Sequence, residues 1–339
     1  MSTIKDVAKR ANVSVATVSR VLSKSSNVSK AKKEQVLKAI EELNYQPNAL
    51  GRYLRTSQTM TILVVIPNIT NPFFSNVLRG IQTYANQEGY RVLLMDVEHS
   101  GFQEQNYVDM LEQKQVDGLI MLTSRINPEV LHTISEKHPV VLACEYIEGS
   151  MIPTVSIDNI SSARKMTEYL LGLGYKNIAH ISGPMNTILS IDRLKGYKQA
   201  LQARERPIKS SSIQEGDFTV ESGYNVMTKL LAMESRPDAV FAANDEMAIG
   251  AIHAIKHRGL RVPEDIAVVG FDDIEIASYY DPPLTTIRQP TYKIGRKAMN
   301  LLIELLGKKT LSQQQFVLDD DLIIRKSCGH DVKTNFSWK

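Results

Sequence analysis

The stretch "TIKDVAKRANVSVATVSRVL", Thr3 to Leu22, decides how the chain begins. Ile4, Val7, Ala8 and Ala11 recur at the spacing of a helix with one buried face. Thr3 precedes the run and Asp6 follows three residues on, an acidic version of the capping box. Asn12 and Val13 break the pattern. Ser14 then caps a second helix, whose apolar positions are Val15, Val18, Val21 and Leu22. After a polar loop over 23–27, Ser29 can cap a third helix with a buried stripe of Val36, Leu37, Ile40 and Leu43. Two short helices joined by a tight turn, the second rich in Ser and Thr with an Arg near its end, describe a helix-turn-helix.

Charge separates this head from the rest. Residues 1–56 hold eleven Lys/Arg against four Asp/Glu, while the remainder holds 29 against 33. A head of net +7 on a body of net −4 points to a polyanionic partner for the head alone. Double-stranded DNA suits the chemistry. A helix in the major groove needs small residues at close approach, hydroxyls for phosphates and a few long side chains for base edges. Ser14, Thr17 and Ser19 offer hydroxyls, Val15 and Ala16 suit a thymine methyl, and Arg20 suits guanine. Thr3, Asn27, Tyr45 and Asn48 complete the groups expected at the DNA. A plain three-helix bundle with a polar face is the competing account.

The expected organisation is an all-α helix-turn-helix head over 1–46, a hinge helix and linker over 47–59, a two-lobed body over 60–329 and a polar tail over 330–339. In the body, apolar strands alternate with helices: "TILVVIP", "YRVLLMDV", "VDGLIML" and "PVVLACE", then "NIAHISG", "SSIQEGDF", "DAVFAAND" and "IAVVGFD". Alternation of this kind builds parallel sheets with right-handed crossovers. The pattern runs twice, breaking near "IDNISSARKM", so two doubly wound lobes with a cleft between them are expected. Ligands of such sheets bind outside the strand C-termini. The candidates there are Asn71, Phe73 and Phe74 in "NITNPFF", Ser124 and Arg125 in "LTSR", Glu145, Asp158, Arg193, Phe218, Asn244, Asp245 and Asp272. Carboxylates, amides and a guanidinium among aromatic faces suit a polyhydroxylated ligand.

The head "TIKDVAKRANVSVATVSRVL" resembles very closely the N-terminal motif of the lactose/galactose repressor family of bacterial transcription regulators, and the resemblance continues to about Cys328. It implies an operator-binding repressor, its body like a periplasmic sugar-binding protein, with Arg193, Phe218 and Asp272 at effector positions. The body is most similar to the family's cytidine-responsive members, on "TILVVIPNITNPFFSNVLRGI", "QVDGLIMLTSR", "GDFTVESG" and "DPPLTTIRQPTYKIGRKAMNLLIELL". That implies a nucleoside-like effector, with ribose hydroxyls on Asp272 and Arg193. A sugar or cyclitol would use the same polar groups, and a phosphorylated carrier protein acts in catabolite-control relatives.

Between head and body lies "YQPNALGRYLR", Tyr45 to Arg55. Pro47 disfavours helix in the residue before it, and Asn48 can cap a short helix beyond. So short a helix is unstable alone, and Gly51 costs it about 1 kcal/mol more. The resemblance implies that it forms on DNA, with Leu54 as an apolar wedge at the central base step; Arg55 can reach phosphates or the minor-groove floor. A flexible tether is the alternative.

A palindromic operator calls for a two-fold homodimer, because one head buries too little surface for high specificity. The tail "GHDVKTNFSWK" is short and polar, unlike the family's tetramer-forming helix. Cys144 and Cys328 form no paired motif, which fits a reducing cytoplasm and a place at the nucleoid. The longest apolar runs are too short to span a bilayer, and the N-terminus carries no apolar signal core. No cofactor is expected. Neither a P-loop, an HExxH motif nor a G-x-S-x-G elbow occurs, so no enzyme is expected. "HAIKH" sets His253 and His257 at metal-binding spacing without a third ligand, and a solvated helix face explains it. Inducer or co-repressor action of the effector is not legible.

Overall fold

The structure is a computed structural model that describes residues 2–22, 28–45, 58–97, 105–123 and 127–331. It divides into two compact units at Thr59/Met60. Asn27, Asn48, Leu54, Arg55, Ser124 and Arg125 lie outside the described residues, with most of the expected hinge.

The first unit holds helices α1 (Ile4–Arg10), α2 (Val15–Leu22) and α3 (Lys30–Glu42). The capping box on α1 is complete: Asp6 N donates to Thr3 Oγ1, and Thr3 N donates to Asp6 Oδ2 at 2.8 Å. Thr17 N donates to Ser14 Oγ at 3.1 Å and starts α2. Ser29 stands at the N-cap of α3, yet its side chain makes no capping hydrogen bond. The stripe of α3 also differs from expectation. Val36, Ala39, Ile40 and Leu43 face the core, whereas Leu37 is 49% exposed. Positions i, i+3, i+4 and i+7 share one face, and Leu37 lies off it. Ser2 Oγ donates to Leu43 O and Arg10 pairs with Glu42, tying α1 to the end of α3.

The second unit begins with β1 (Thr61–Ile66), α4 (Phe73–Gln87), β2 (Arg91–Asp96), α5 (Gln105–Glu112), β3 (Gly118–Met121), α6 (Pro128–Lys137), β4 (Val140–Ala143) and β5 (Thr154–Ser156). Its second half holds α7 (Asn159–Gly172), β6 (Ile178–Ser182), α8 (Ile188–Ala203), β7 (Ile213–Glu215), α9 (Val220–Leu231), β8 (Ala239–Ala242), α10 (Asp245–His257) and β9 (Ala267–Val269). Then follow β10 (Thr286–Arg288), α11 (Thr291–Leu306), β11 (Gln315–Val317) and β12 (Asp321–Ile323). A six-stranded sheet runs β11-β5-β4-β3-β1-β2 and a four-stranded sheet runs β7-β6-β8-β9, every pairing parallel. Strands β3 and β4 are buried throughout, as a parallel sheet covered by helices requires.

The two lobes do not part at one point of the sequence, as the repeat near "IDNISSARKM" suggested. The chain leaves the first lobe after β5, returns through Gln289 and Pro290 into α11, and crosses again past β11 to pair β12 antiparallel with β10. Helix α11 belongs to the first lobe because it packs against α4 at backbone distance. A Cβ on Gly80 would collide with the carbonyl of Tyr292, and one on Gly295 with that of Val77. His330, at the start of the expected tail, is held by Tyr169, whose hydroxyl lies 2.9 Å from Nδ1.

Candidate binding cleft and nucleic-acid interface

Helix α2 needs only Val18 and Val21 for the head's core. Val15 is 41% exposed, and Ala16 and Arg20 are exposed too. The face that carries the base-reading candidates is therefore the face that folding leaves over. The hydroxyls divide their duties. Ser14 Oγ and Thr17 Oγ1 lie 2.9 Å apart within the cap, while Thr3 Oγ1 donates to Asp6 Oδ2 at 2.7 Å. Thr3 and Ser14 thus start helices before they touch anything else. Tyr45 packs against the head's core.

In the body, a cavity of about 370 Å³ opens between the lobes, within the usual size of small-molecule pockets. Eight of the ten described candidates line it: Asn71, Phe73, Phe74 and Glu145 from the first lobe, and Arg193, Phe218, Asn244 and Asp272 from the second. The strand-end rule explains most of them. Asn71 follows β1 and its Oδ1 accepts from Phe73 N at 2.9 Å, which starts α4 and sets the two rings edge to face, 5.1 Å apart. Glu145 follows β4, Phe218 follows β7 and Asp272 follows β9.

Arg193 does not come from a strand end. It stands inside α8, only 2% exposed, and braces the floor. Its Nε donates to Asn159 Oδ1 at 2.9 Å, one terminal nitrogen to Ala243 O at 2.5 Å, and the other to Asp272 Oδ1 at 3.5 Å. The guanidinium also lies over the Phe271 ring, 3.7 Å from its centre. Gln289 Nε2 donates to the same Asp272 oxygen at 2.7 Å, which leaves Oδ2 toward the cavity. Burial pushes the Asp272 carboxyl up to about 6, against the pull of Arg193 and Gln289. Burial also lowers the Arg193 pKa, opposed by Asp272 and Glu145. Guanidinium remains charged regardless.

Backbone strain gathers in the same place. Cys144, Phe218 and Asp272 hold φ of 70°, 72° and 110°, a region that side chains avoid. Phe218 is kept there by its neighbours: Asn244 Nδ2 donates to Phe218 O at 2.9 Å, and the ring lies on Gly183, where a Cβ would collide with it. Asn244 Oδ1 accepts from Met247 N and caps α10. Both ends of the Asn244 amide therefore serve the protein, so it positions Phe218 and caps a helix.

Asp158 and Asp245 are not in the cavity. Asp158 caps α7 through Ser161 N, and Asp245 accepts from Thr286 Oγ1 and Ile274 N in the core. Burial holds the Asp245 carboxyl well above the ordinary range. His257 Nδ1 lies 2.5 Å from Tyr224 OH, and the His253 ring packs on the same tyrosine. The sequence reading missed Asn68, Thr70, Leu122, Cys144, Leu189, Asp217, Thr219, Val220, Glu221 and Glu246 in the lining. Most sit in the same loops as residues it did select, so the signal was adjacency. Burial, with Glu145 and Asp272 adding, raises the Cys144 thiol and keeps it neutral. Among the described residues no helix is long and apolar enough to cross a membrane, and no group of three or more side chains could hold a metal.

Two family models match. "Bacterial regulatory proteins, lacI family" covers residues 3–48, and "Periplasmic binding proteins and sugar binding domain of LacI family" covers 59–326. The chain is 42% identical over 329 residues to the HTH-type transcriptional repressor CytR of Escherichia coli (strain K12), spanning 96% of each. Among solved structures, the lac repressor dimer bound to operator and the anti-inducer ONPF superposes with a TM-score of 0.86 at 32% identity, covering 96% of this chain and 99% of that one. The complex of transcriptional regulator CelR with cellobiose superposes at 0.74, also at 32% identity, covering 96% and 100%.

Proposed function

Because the chain belongs to the LacI family of bacterial regulatory proteins, we propose that it is a repressor whose head binds a palindromic operator as a homodimer and whose interlobe cavity takes a nucleoside-like effector. One observation carries the effector half: eight of the ten described candidates chosen for a polyhydroxylated ligand converge on one cavity that draws on both lobes. An effector there touches both lobes at once. It can move the protein only through its different affinity for two arrangements of them.

Rings on both walls favour a flat base. Phe73 and Phe74 line one side and Phe218 the other, while the open Asp272 oxygen can accept from ribose hydroxyls. Similarity to CytR favours the same class. A sugar is the second reading, favoured by the structural likeness to a cellobiose complex. Arg20, Val15 and Ala16 read bases in this proposal, with Ser14, Thr17, Ser19, Thr3, Asn27 and Tyr45 around the phosphates. Asn48 caps the hinge helix, Leu54 is the wedge and Arg55 its phosphate contact. The binding-cleft chemistry contains no activated nucleophile, and the protein acts by binding.

Fluorescence anisotropy on a labelled operator, with cytidine, adenosine, ribose and inositol added in turn, tests both halves. A shift in operator affinity with a nucleoside supports the reading, whichever its sign. A shift with ribose or inositol alone overturns the nucleoside class. Leu54→Ala should lose most operator affinity and keep non-specific binding; unchanged operator affinity would mark the segment as a tether.

A further inference from the structure

The described wall of the cavity has one cation and five carboxylates: Arg193 against Glu145, Asp217, Glu221, Glu246 and Asp272. We propose that this charge pattern selects an uncharged or cationic ligand rich in hydrogen-bond donors, and that it excludes phosphate esters of the same ligand. The inference rests on the reading of the cavity as the effector site, and it names what that site rejects.

Phosphate is recognised by free Lys or Arg forks or by uncapped helix N-termini. Among the described lining residues no free fork is on offer. Arg193 already donates to Asn159, to the Ala243 carbonyl and to Asp272, so little of its fork remains for an anion. Of the helix starts at the cavity, those of α9 and α10 are also occupied, whereas α4 and α8 have no side-chain cap and no acidic residue in the first turn. Asn71 Oδ1 accepts from Phe73 N just before α4, and Thr219 caps α9, which has Glu221 in its first turn. Asn244 caps α10, with Asp245 and Glu246 in its first turn. At α9 and α10 these acidic residues meet the positive ends of the helix dipoles and weaken their pull on an anion.

The carboxylates are arranged in depth. Glu145 and Asp272 are buried at the floor, Glu246 is half-buried, and Asp217 and Glu221 are exposed at the rim. Burial works against ionisation of Asp217, but hydrogen bonds from Thr219 and Ser222 outweigh it and hold the pKa below the ordinary value. The rim therefore carries charge at neutral pH, and a phosphorylated ligand meets it before reaching the floor. Arg125 lies outside the described residues; were it to join the wall, the carboxylates would still be in excess.

Two measurements on the full-length protein test this. First, cytidine, 5′-amino-5′-deoxycytidine and cytidine 5′-monophosphate are titrated by calorimetry at low and high salt. The expected order is the amine at or above cytidine, with the monophosphate on the order of a hundredfold weaker. That gap should narrow with salt and in Glu221→Gln, as charge exclusion requires and steric exclusion does not. A monophosphate that binds as well as cytidine, or a gap indifferent to salt, overturns the proposal and leaves the effector site standing.

The second measurement needs no ligand. Trp338 is the chain's one tryptophan, so Phe218→Trp in a Trp338→Phe background reports from the cavity. Caesium should quench it more efficiently than iodide, relative to the same ions on a free tryptophan amide. Iodide quenching at or above the caesium level overturns the charge pattern. If the caesium preference holds while no nucleoside binds, the charge proposal stands and the nucleoside reading fails.

Discussion

The head and the cleft place their candidate residues by opposite rules. In α2 the candidate readers Val15, Ala16 and Arg20 are what remains after Val18 and Val21 have gone to the core. In the cleft the candidate effector residues are part of the core: Arg193 and Asp272 are 2% and 9% exposed and bonded to each other. Function on the head can therefore change without touching the fold. The cleft candidates cannot be changed so freely, because their bonds also hold the core.

Arg193→Ala should show the largest effect. It strips Asp272 of its counter-charge, deprives Asn159 and Ala243 of a donor, and leaves the Phe271 ring without its cover. Removing one partner of a buried pair costs about 3–5 kcal/mol. Urea denaturation of the full chain checks it, and effector binding should be lost as well. A stable Arg193→Ala protein would break the comparison. Arg20→Ala is the opposite case. Its stability should stay within about 0.5 kcal/mol of the parent, since exposed substitutions change little. Operator affinity should fall by about 1–3 kcal/mol, the discrimination carried by one good base contact. Anisotropy and denaturation together separate the two outcomes.

The same contrast explains what could be read in advance. The head was legible because its rules are local: apolar spacing, Thr3 with Asp6, and Ser14 before α2. It failed at Leu37, where one residue's position around a helix decides exposure. The cleft was legible wherever a residue follows a strand, as Glu145, Phe218 and Asp272 do. It was less so where Asn or Asp begins a helix. Such residues suit a ligand or a cap equally, and only packing tells that Asp158 caps a helix while Asn71 accepts from Phe73 N and also lines the cavity. The return of α11 to the first lobe was hidden for another reason. It depends on the close approach of α4 and α11, at Gly80 against Tyr292 and at Gly295 against Val77, which lie far apart in sequence.

Acid titration sharpens the comparison next. Asp272 carries a folded pKa of about 6, raised from 3.8 by burial. Its ionised form therefore burdens the folded state above about pH 6, and the burden is relieved as pH falls from about 6 toward 3.8. This group alone makes the body more stable on mild acidification. Effector affinity should move the other way, because a protonated Asp272 accepts ligand hydroxyls poorly. Below pH 6 it should fall about tenfold per unit, while the head's non-specific DNA binding keeps its neutral-pH strength. Calorimetry across pH 5 to 8 checks the first half and anisotropy the second. Effector affinity that is flat over this range would remove Asp272 from the contact.

The smallest effect tests whether the cleft's two walls act as one. Tyr146, next to Glu145 on the first lobe, donates to Asp192 Oδ2 at 2.9 Å on α8 of the second, next to Arg193. Burial raises the Asp192 pKa, and the tyrosine hydroxyl works against that shift by bonding the carboxylate. Tyr146→Phe removes one hydrogen bond and little volume, worth about 0.5–1.5 kcal/mol when it is made. If the bond favours the lobe arrangement that holds effector, the variant should bind effector up to about tenfold more weakly with its pocket residues unaltered. If it favours the arrangement without effector, affinity should rise by the same factor. Small-angle scattering with and without effector tells which arrangement lost its brace. Equal affinity in both proteins would mean that the bond forms alike in the two arrangements, and that the walls of the cleft are coupled through the ligand alone.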